Sequence, residues 1–225
     1  MREVIRILLF SNYLVAVALL TSVAVAQISG PAKNGVVWEP PILEWPDELP
    51  RATVPNPMIP FLTVAGTRIT LDETELVDAQ QRLGGTIGSR GAAGESLDWL
   101  CLIGADRNGR WVLWLEGSEI NGGTVGGFLL QRIGADTKAD SRCRILPGGR
   151  KSRIKLPVQI RLGMTESDIR KMLGTVTARK GNTLIFHHEH EQLFDARRFT
   201  ASNTVTVLLD NGSVSAIEVW STFVD

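Results

Sequence analysis

The sequence predicts an α+β protein made of two tandem repeats, each a short helix followed by a three- or four-stranded antiparallel meander. Three observations predict this fold class. The 225 residues have a globular composition, with 44% hydrophobic and 21% charged residues. An I-x-L-x-x-T…L-G pattern occurs twice, at residues 69–84 and 160–174. Strand-like segments joined by an Asn-Gly turn, which is a strong hairpin signal, follow each occurrence.

Residues 1–26 have the layout of a secretory signal peptide. Arg2 and Arg6 begin the segment, and an apolar run, interrupted only by Ser-Asn-Tyr at residues 11–13, covers residues 7–20. Ala24 and Ala26 are the small residues that a signal peptidase reads. A membrane-spanning helix needs about 20 apolar residues, and this run is shorter, so we expect cleavage rather than a retained anchor. The predicted location is the periplasm or the cell exterior, and the processed chain is not expected to span a membrane.

Residues 27–61 form a proline-rich arm. Eight of the ten prolines lie in it: Pro31, Pro40, Pro41, Pro46, Pro50, Pro55, Pro57 and Pro60. Because proline fixes φ and has no N–H group, we predict an extended arm with local polyproline II character. The aromatic residues Trp38, Trp45 and Phe61 are interpreted either as anchors on the protein's own surface or as contacts for a docking partner.

Repeat 1 is predicted to cover residues 62–146. Thr74 suits a helix N-cap, and the spacing of apolar residues predicts a helix that ends at Gly84. Strands are expected on both sides of the turn at residues 106–109, whose sequence is Asp-Arg-Asn-Gly. A basic linker, residues 147–157, then leads to the second repeat.

Repeat 2 is predicted to cover residues 158–225. Thr165 is the expected N-cap of its helix, with Asp168 three residues later in a capping-box arrangement, and Gly174 is the expected helix end. The Asp-Asn-Gly sequence at residues 210–212 predicts the hairpin turn of this repeat.

The two cysteines, Cys101 and Cys143, are predicted to form a disulfide. Disulfides are stable in the oxidising compartments that exported proteins reach. The alternative is a reactive thiol pair, but such pairs usually have C-x-x-C spacing, which is absent here.

The second helix pattern, Leu162-Gly163-Met164-Thr165 followed by Ile169 and Leu173-Gly174, resembles the signature of the SmpA/OmlA family. That family includes the BamE component of the outer-membrane β-barrel assembly machinery and has helices packed on a small antiparallel sheet. The predicted tandem helix-plus-meander organisation is similar to that of secreted β-lactamase inhibitory proteins. The first resemblance implies a role in the cell envelope, and the second implies inhibition of a secreted hydrolase.

All three histidines lie in one segment, residues 187–191, with the sequence His-His-Glu-His-Glu. On a strand, His188 and His190 project to one face, where an imidazole pair is half of a zinc or copper site. The H-E-x-x-H protease pattern is not met, because Phe194 stands where the second histidine is required. The alternative interpretation is an exposed polar strand end.

Two sets of residues are candidate contacts for a partner. Six positive charges lie at or near the linker between the repeats: Arg142, Arg144, Arg150, Lys151, Arg153 and Lys155. They either meet an acidic surface or belong to a solvated linker. Trp111 and Trp114 point to opposite faces of one strand, so at least one is expected outside a one-sided core, either as a binding surface or packed under the arm.

These observations predict a non-enzymatic, exported protein-interaction module of the bacterial cell envelope that needs no cofactor. The expected partner is a protein of the envelope or a secreted hydrolase. Lys and Arg number 24 against 24 Asp and Glu, and this balance argues against nucleic-acid binding. Two alternatives stay open: an inhibitor of a secreted hydrolase, and a metal-binding protein that uses residues 187–191.

Overall fold

The computed structural model describes residues 35–43, 49, 58–92, 96–148, 153–194 and 197–224. The predicted signal peptide and the start of the arm lie outside these ranges. So does most of the arm between residues 44 and 57. None of the helices in the described part of the chain has the length and apolar character needed to cross a membrane.

Two eight-residue helices and fourteen strands make up the described chain. The helices are α1 (Leu76–Leu83) and α2 (Glu166–Leu173). The strands are β1 (Val36–Val37), β2 (Phe61–Val64), β3 (Thr67–Thr70), β4 (Ile87–Arg90), β5 (Leu97–Asp106), β6 (Gly109–Ser118), β7 (Val125–Ile133), β8 (Lys138–Ala139), β9 (Arg144–Ile145), β10 (Ile154–Lys155), β11 (Ala178–Lys180), β12 (Thr183–Phe194), β13 (Arg197–Asp210) and β14 (Ser213–Val224).

The predicted fold class is wrong, because the protein is mostly β, with about 53% strand. A single nine-stranded sheet has the order β11-β12-β13-β14-β7-β6-β5-β4, with β9 added beside β5. The strands that follow α1 and those that follow α2 join where β14 pairs antiparallel with β7, from Ala216–Gln131 to Trp220–Gly127. Two separate helix-plus-meander units are therefore not formed, and the strands are long while the helices are short.

The predictions of turns and helix ends, which depend on local sequence, agree with the structure better than the predicted fold class does. Residues 107–108 connect β5 to β6, and Asn211 and Gly212 connect β13 to β14 with positive φ values of 49° and 75°. Positive φ at both central residues is the geometry that an Asn-Gly hairpin turn supplies. Gly84 and Gly174 also have positive φ, 78° and 85°, directly after the helices.

Of the two predicted N-caps, one is correct. The Thr165 hydroxyl accepts a hydrogen bond from the Asp168 backbone N–H at 3.2 Å, as a capping residue does. The N-cap of α1 is Glu75, which makes no side-chain capping bond. Thr74 instead accepts from the backbone N–H of Thr70 at 2.9 Å, so its hydroxyl stabilises the approach to the helix.

The large sheet is covered on both faces. On one face, both helices and strands β2 and β3 enclose an apolar cluster that includes the fully buried Leu113, Phe128 and Ile169. On the other face, a smaller cluster contains Trp99, Trp114 and both cysteines, and arm residues pack onto it. We call these the helix-covered face and the arm-covered face. Strand residues alternate between them, so β5 and β6 are buried on both sides.

The predicted disulfide is confirmed: Cys101 on β5 is bonded to Cys143 in the segment before β9. It closes a loop with a sequence separation of 42 residues. The Cys143 sulfur also lies 3.4 Å from the Val37 carbonyl oxygen of the arm. The disulfide thus fixes the segment on which the arm rests.

Candidate functional site

A basic groove of about 700 Å³ is formed where three separate segments meet. The β5–β6 turn contributes Arg107, the residue directly before β10 is Arg153, and the loop before α2 contributes Arg161. The remaining lining residues are Ala105, Asp106, Asn108, Gly148 and Ile154. We call this site the basic groove.

The β5–β6 turn presents Arg107 because its backbone is fixed locally. The Asp106 carboxylate accepts a hydrogen bond from the backbone N–H of Asn108 at 2.7 Å. Gly109 follows with a φ of 116°, a conformation that favours glycine. Asp106 is thereby engaged with the turn that it helps to close, and Arg107 lies exposed at the tip.

The basic groove carries more positive than negative charge. All three arginines are exposed, and none of them forms an ion pair with any residue that the structure describes. Asp106 is the one carboxylate in the lining. Guanidinium groups bind carboxylates and phosphates through paired N–H donors and stay charged at all physiological pH values. The site is therefore suited to an anionic group.

The predicted basic cluster is only partly brought together. Arg153 lines the basic groove, while Arg144 on β9 and Lys155 on β10 are exposed outside its lining. Arg150 and Lys151 lie outside the described residues. Sequence reasoning missed Arg107 and Arg161, because only the tertiary fold brings the hairpin turn and the α2 approach beside Arg153.

Arg142 has a structural role in the described chain. Its guanidinium forms an ion pair with Asp140 at 2.8 Å and lies 4.0 Å from the centre of the Trp38 ring. Hydrogen bonds from the Arg142 side chain and backbone lower the pKa of Asp140 to about 2. Arg142 therefore holds the arm rather than facing the groove.

Trp111 and Trp114 lie on opposite faces of β6, as their alternation on a strand predicts, and both are buried. Trp111 on the helix-covered face is 3% exposed, and Trp114 on the arm-covered face is fully buried. The indole N–H of Trp114 donates to the Trp38 carbonyl at 2.9 Å. Packing under the arm, one of the two interpretations, thus describes Trp114.

The histidine segment divides between the two faces of β12. The rings of His188 and His190 lie together, with centroids 5.6 Å apart. His187 points the other way, where its ring nitrogens lie 2.8 Å from the Thr204 hydroxyl and 3.1 Å from a Glu189 carboxylate oxygen. Within the described ranges, no three His, Cys, Asp or Glu side chains are grouped to hold a metal ion.

Comparisons with protein-family models, with curated proteins and with solved structures found no match for this chain. The resemblance of residues 162–174 to the SmpA/OmlA signature therefore stays a prediction from the sequence.

Proposed function

We propose that this protein is a non-enzymatic, exported interaction module of the bacterial cell envelope that binds an acidic protein partner through the basic groove. One observation carries the proposal: Arg107, Arg153 and Arg161 line one groove and have no ion-pair partner in the described chain. The chain has no net charge, so this concentration of positive charge is a local feature. Local fields of this kind select and orient partners of opposite charge.

The lining of the groove supports binding rather than proton transfer. Arginine cannot act as a general base at physiological pH, because its guanidinium does not lose a proton. Acidic side chains of a partner would form charge-assisted, bidentate hydrogen bonds with these arginines. The Cys101–Cys143 disulfide supports export, because such bonds persist mainly in oxidising compartments.

The test is a binding experiment with the purified, oxidised protein immobilised and exposed to solubilised envelope proteins. The variant Arg107→Gln/Arg153→Gln/Arg161→Gln removes the groove charges. The matched control, Arg82→Gln/Lys171→Gln/Lys180→Gln, removes three positive charges elsewhere in the fold. We expect the groove variant to bind the captured partner at least about tenfold more weakly, since each exposed ion pair contributes up to about 1 kcal/mol.

Wild type and control are expected to bind alike, with affinity falling as salt is added. An equal loss of binding affinity in the groove variant and the control would contradict the proposal, because positive charge anywhere on the surface would then be enough for binding. Capture of a soluble hydrolase whose activity falls on binding would instead favour the inhibitor interpretation.

A further inference from the structure

The arm-covered face is closed by arm residues that bind side chains of the sheet. Val36 and Val37 pair with β8, and the Trp38 ring meets Trp99 edge-on with 5.6 Å between centroids. The Trp114 indole donates to the Trp38 carbonyl, and the Arg90 guanidinium donates to the Pro40 carbonyl at 2.9 Å. These contacts hold residues 36–40 of the arm on the sheet.

Glu116 lies on β6 beside these contacts. It is opposite Trp99 on β5 and opposite Gly127 on β7, and the Trp220 ring lies over Gly127. Glu116 is only 3% exposed, and its Oε1 atom has no hydrogen-bond partner among the residues that the structure describes. A buried carboxyl oxygen without a partner is costly, and far more so when the group is ionised.

The charged groups that face Glu116 come from both sides of the arm-covered face. Arg90 approaches from β4, and Glu218, which is 6% exposed, approaches from β14. Burial raises the pKa of Glu116 well above its ordinary value of 4.5, the Glu218 charge raises it further, and Arg90 opposes both effects. β5 and β7 present Trp99 and Gly127 and add no charge.

Among the described residues of this face, Glu39, Arg142 and His187 are engaged with partners of their own. The arm contributes Glu39, which interacts electrostatically with Arg142, and Arg142 is paired with Asp140. On β12, His187 is bonded to Thr204 and Glu189.

We propose that residues 35–43 of the arm are a strap whose closure depends on the protonation of Glu116. The strap is closed when Glu116 is neutral and is released when the carboxylate forms. Release lets water reach the carboxylate and frees Arg90 from the Pro40 carbonyl, so that Arg90 can pair with Glu116. The released arm uncovers Trp99 and Trp114. The proposal uses a different part of the molecule from the basic groove and does not depend on it.

The direction of the pH effect follows from linkage. Glu116 is buried in the closed state, and in this proposal release of residues 35–43 exposes it to water. The closed state therefore binds the Glu116 proton more tightly than the open state. Closure is therefore accompanied by proton uptake at pH values between 4.5 and the raised pKa. Across that window the ratio of closed to open arm falls up to tenfold for each unit that the pH rises, and outside it the ratio is constant.

The experiment is amide hydrogen exchange by mass spectrometry on the purified, oxidised full chain between about pH 5 and pH 9, comparing wild type with Glu116→Gln and Glu73→Gln. Glutamine keeps the shape of the side chain but cannot ionise, and Glu73 is an exposed control. Comparing proteins at the same pH removes the intrinsic pH dependence of exchange. We expect peptides covering residues 35–43 to lose protection with rising pH in wild type and Glu73→Gln, by up to tenfold per unit, and to stay protected in Glu116→Gln.

A second variant, Glu218→Gln, removes the neighbouring negative charge. We expect it to keep the transition and move it to lower pH, because one of the causes that raise the pKa of Glu116 is gone. Peptides covering residues 203–209 of β13 serve as an internal reference for global unfolding. The same pH dependence in wild type and Glu116→Gln would overturn the proposal. So would arm release that occurs only together with loss of protection in β13.

Discussion

The two faces of the large sheet are covered in different ways. The helix-covered face buries an apolar cluster contributed by both helices, β2, β3 and most strands of the large sheet. The arm-covered face buries fewer apolar side chains and also encloses Glu116, Gln131 and Thr206, each with a buried atom that has no hydrogen-bond partner in the described part of the chain. Apolar burial stabilises in proportion to area and is non-directional, whereas the contacts of the arm include a few directional hydrogen bonds and rest on a segment held by the disulfide. The stability of the arm-covered face is therefore expected to depend on the disulfide and on pH more than the stability of the helix-covered face does.

The largest effect is expected from removing the disulfide of the arm-covered face. The double variant Cys101→Ser/Cys143→Ser should lower the free energy of unfolding by about 4 kcal/mol, the chain-entropy value for a loop of 42 residues. Urea denaturation of the oxidised protein and the variant measures the difference. Reduced wild type should match the variant. A loss below about 1 kcal/mol would show that the arm-covered face does not depend on this bond.

A slightly smaller loss is expected on the helix-covered face from Ile169→Ala. Ile169 on α2 is fully buried in the apolar cluster, so the truncation should cost about 3 kcal/mol in the same denaturation experiment. Met172→Ala on the same helix, where 40% of the residue is exposed, is the control and should cost much less. If the faces are independent, the Ile169→Ala loss is equal in oxidised and reduced protein. Unequal Ile169→Ala losses in the oxidised and reduced proteins would show that the two faces do not contribute independently to stability.

The variant Glu116→Gln tests whether the arm-covered face makes the stability of the protein depend on pH. Because burial and Glu218 raise the pKa of Glu116, wild type loses stability as the pH rises from 4.5 through that pKa, and the variant does not. The variant should therefore be more stable than wild type at pH 8, and the difference should shrink towards zero below about pH 4.5. Thermal unfolding at both pH values measures this. The control Glu73→Gln changes an exposed residue and should have little effect on thermal unfolding at either pH. If it changed stability as much as Glu116→Gln does, the effect could not be attributed to the burial of Glu116.

The sequence predicts well those features that depend on residues close together in the chain. The Asn-Gly turns, the Thr165 cap and the two glycine helix ends depend on short-range geometry, and the structure confirms them. The cysteine pair was predictable because the chain has only two. The single sheet was not, because the β7–β14 pairing joins residues far apart in the chain and no local signal selects it.

The same limit applies to the candidate site. The hairpin that presents Arg107 was predicted, but its position beside Arg153 and Arg161 follows from long-range packing. The sequence also left open whether the second face of β6 is covered, because the alternating Trp111 and Trp114 fit an open face and an arm-covered face equally well.

The smallest effect compares the two helices within the helix-covered face. The Thr165 hydroxyl caps α2, whereas the N-cap of α1 makes no side-chain bond. Thr165→Ala should cost about 1 kcal/mol, and Thr165→Ser should restore most of it, because serine also caps. Glu75→Ala should change stability by less than about 0.5 kcal/mol, since no capping bond is lost there. Urea denaturation of the three variants measures these values. Equal losses in Thr165→Ala and Glu75→Ala would show that packing of the helix onto the sheet, and not the cap, decides where each helix begins.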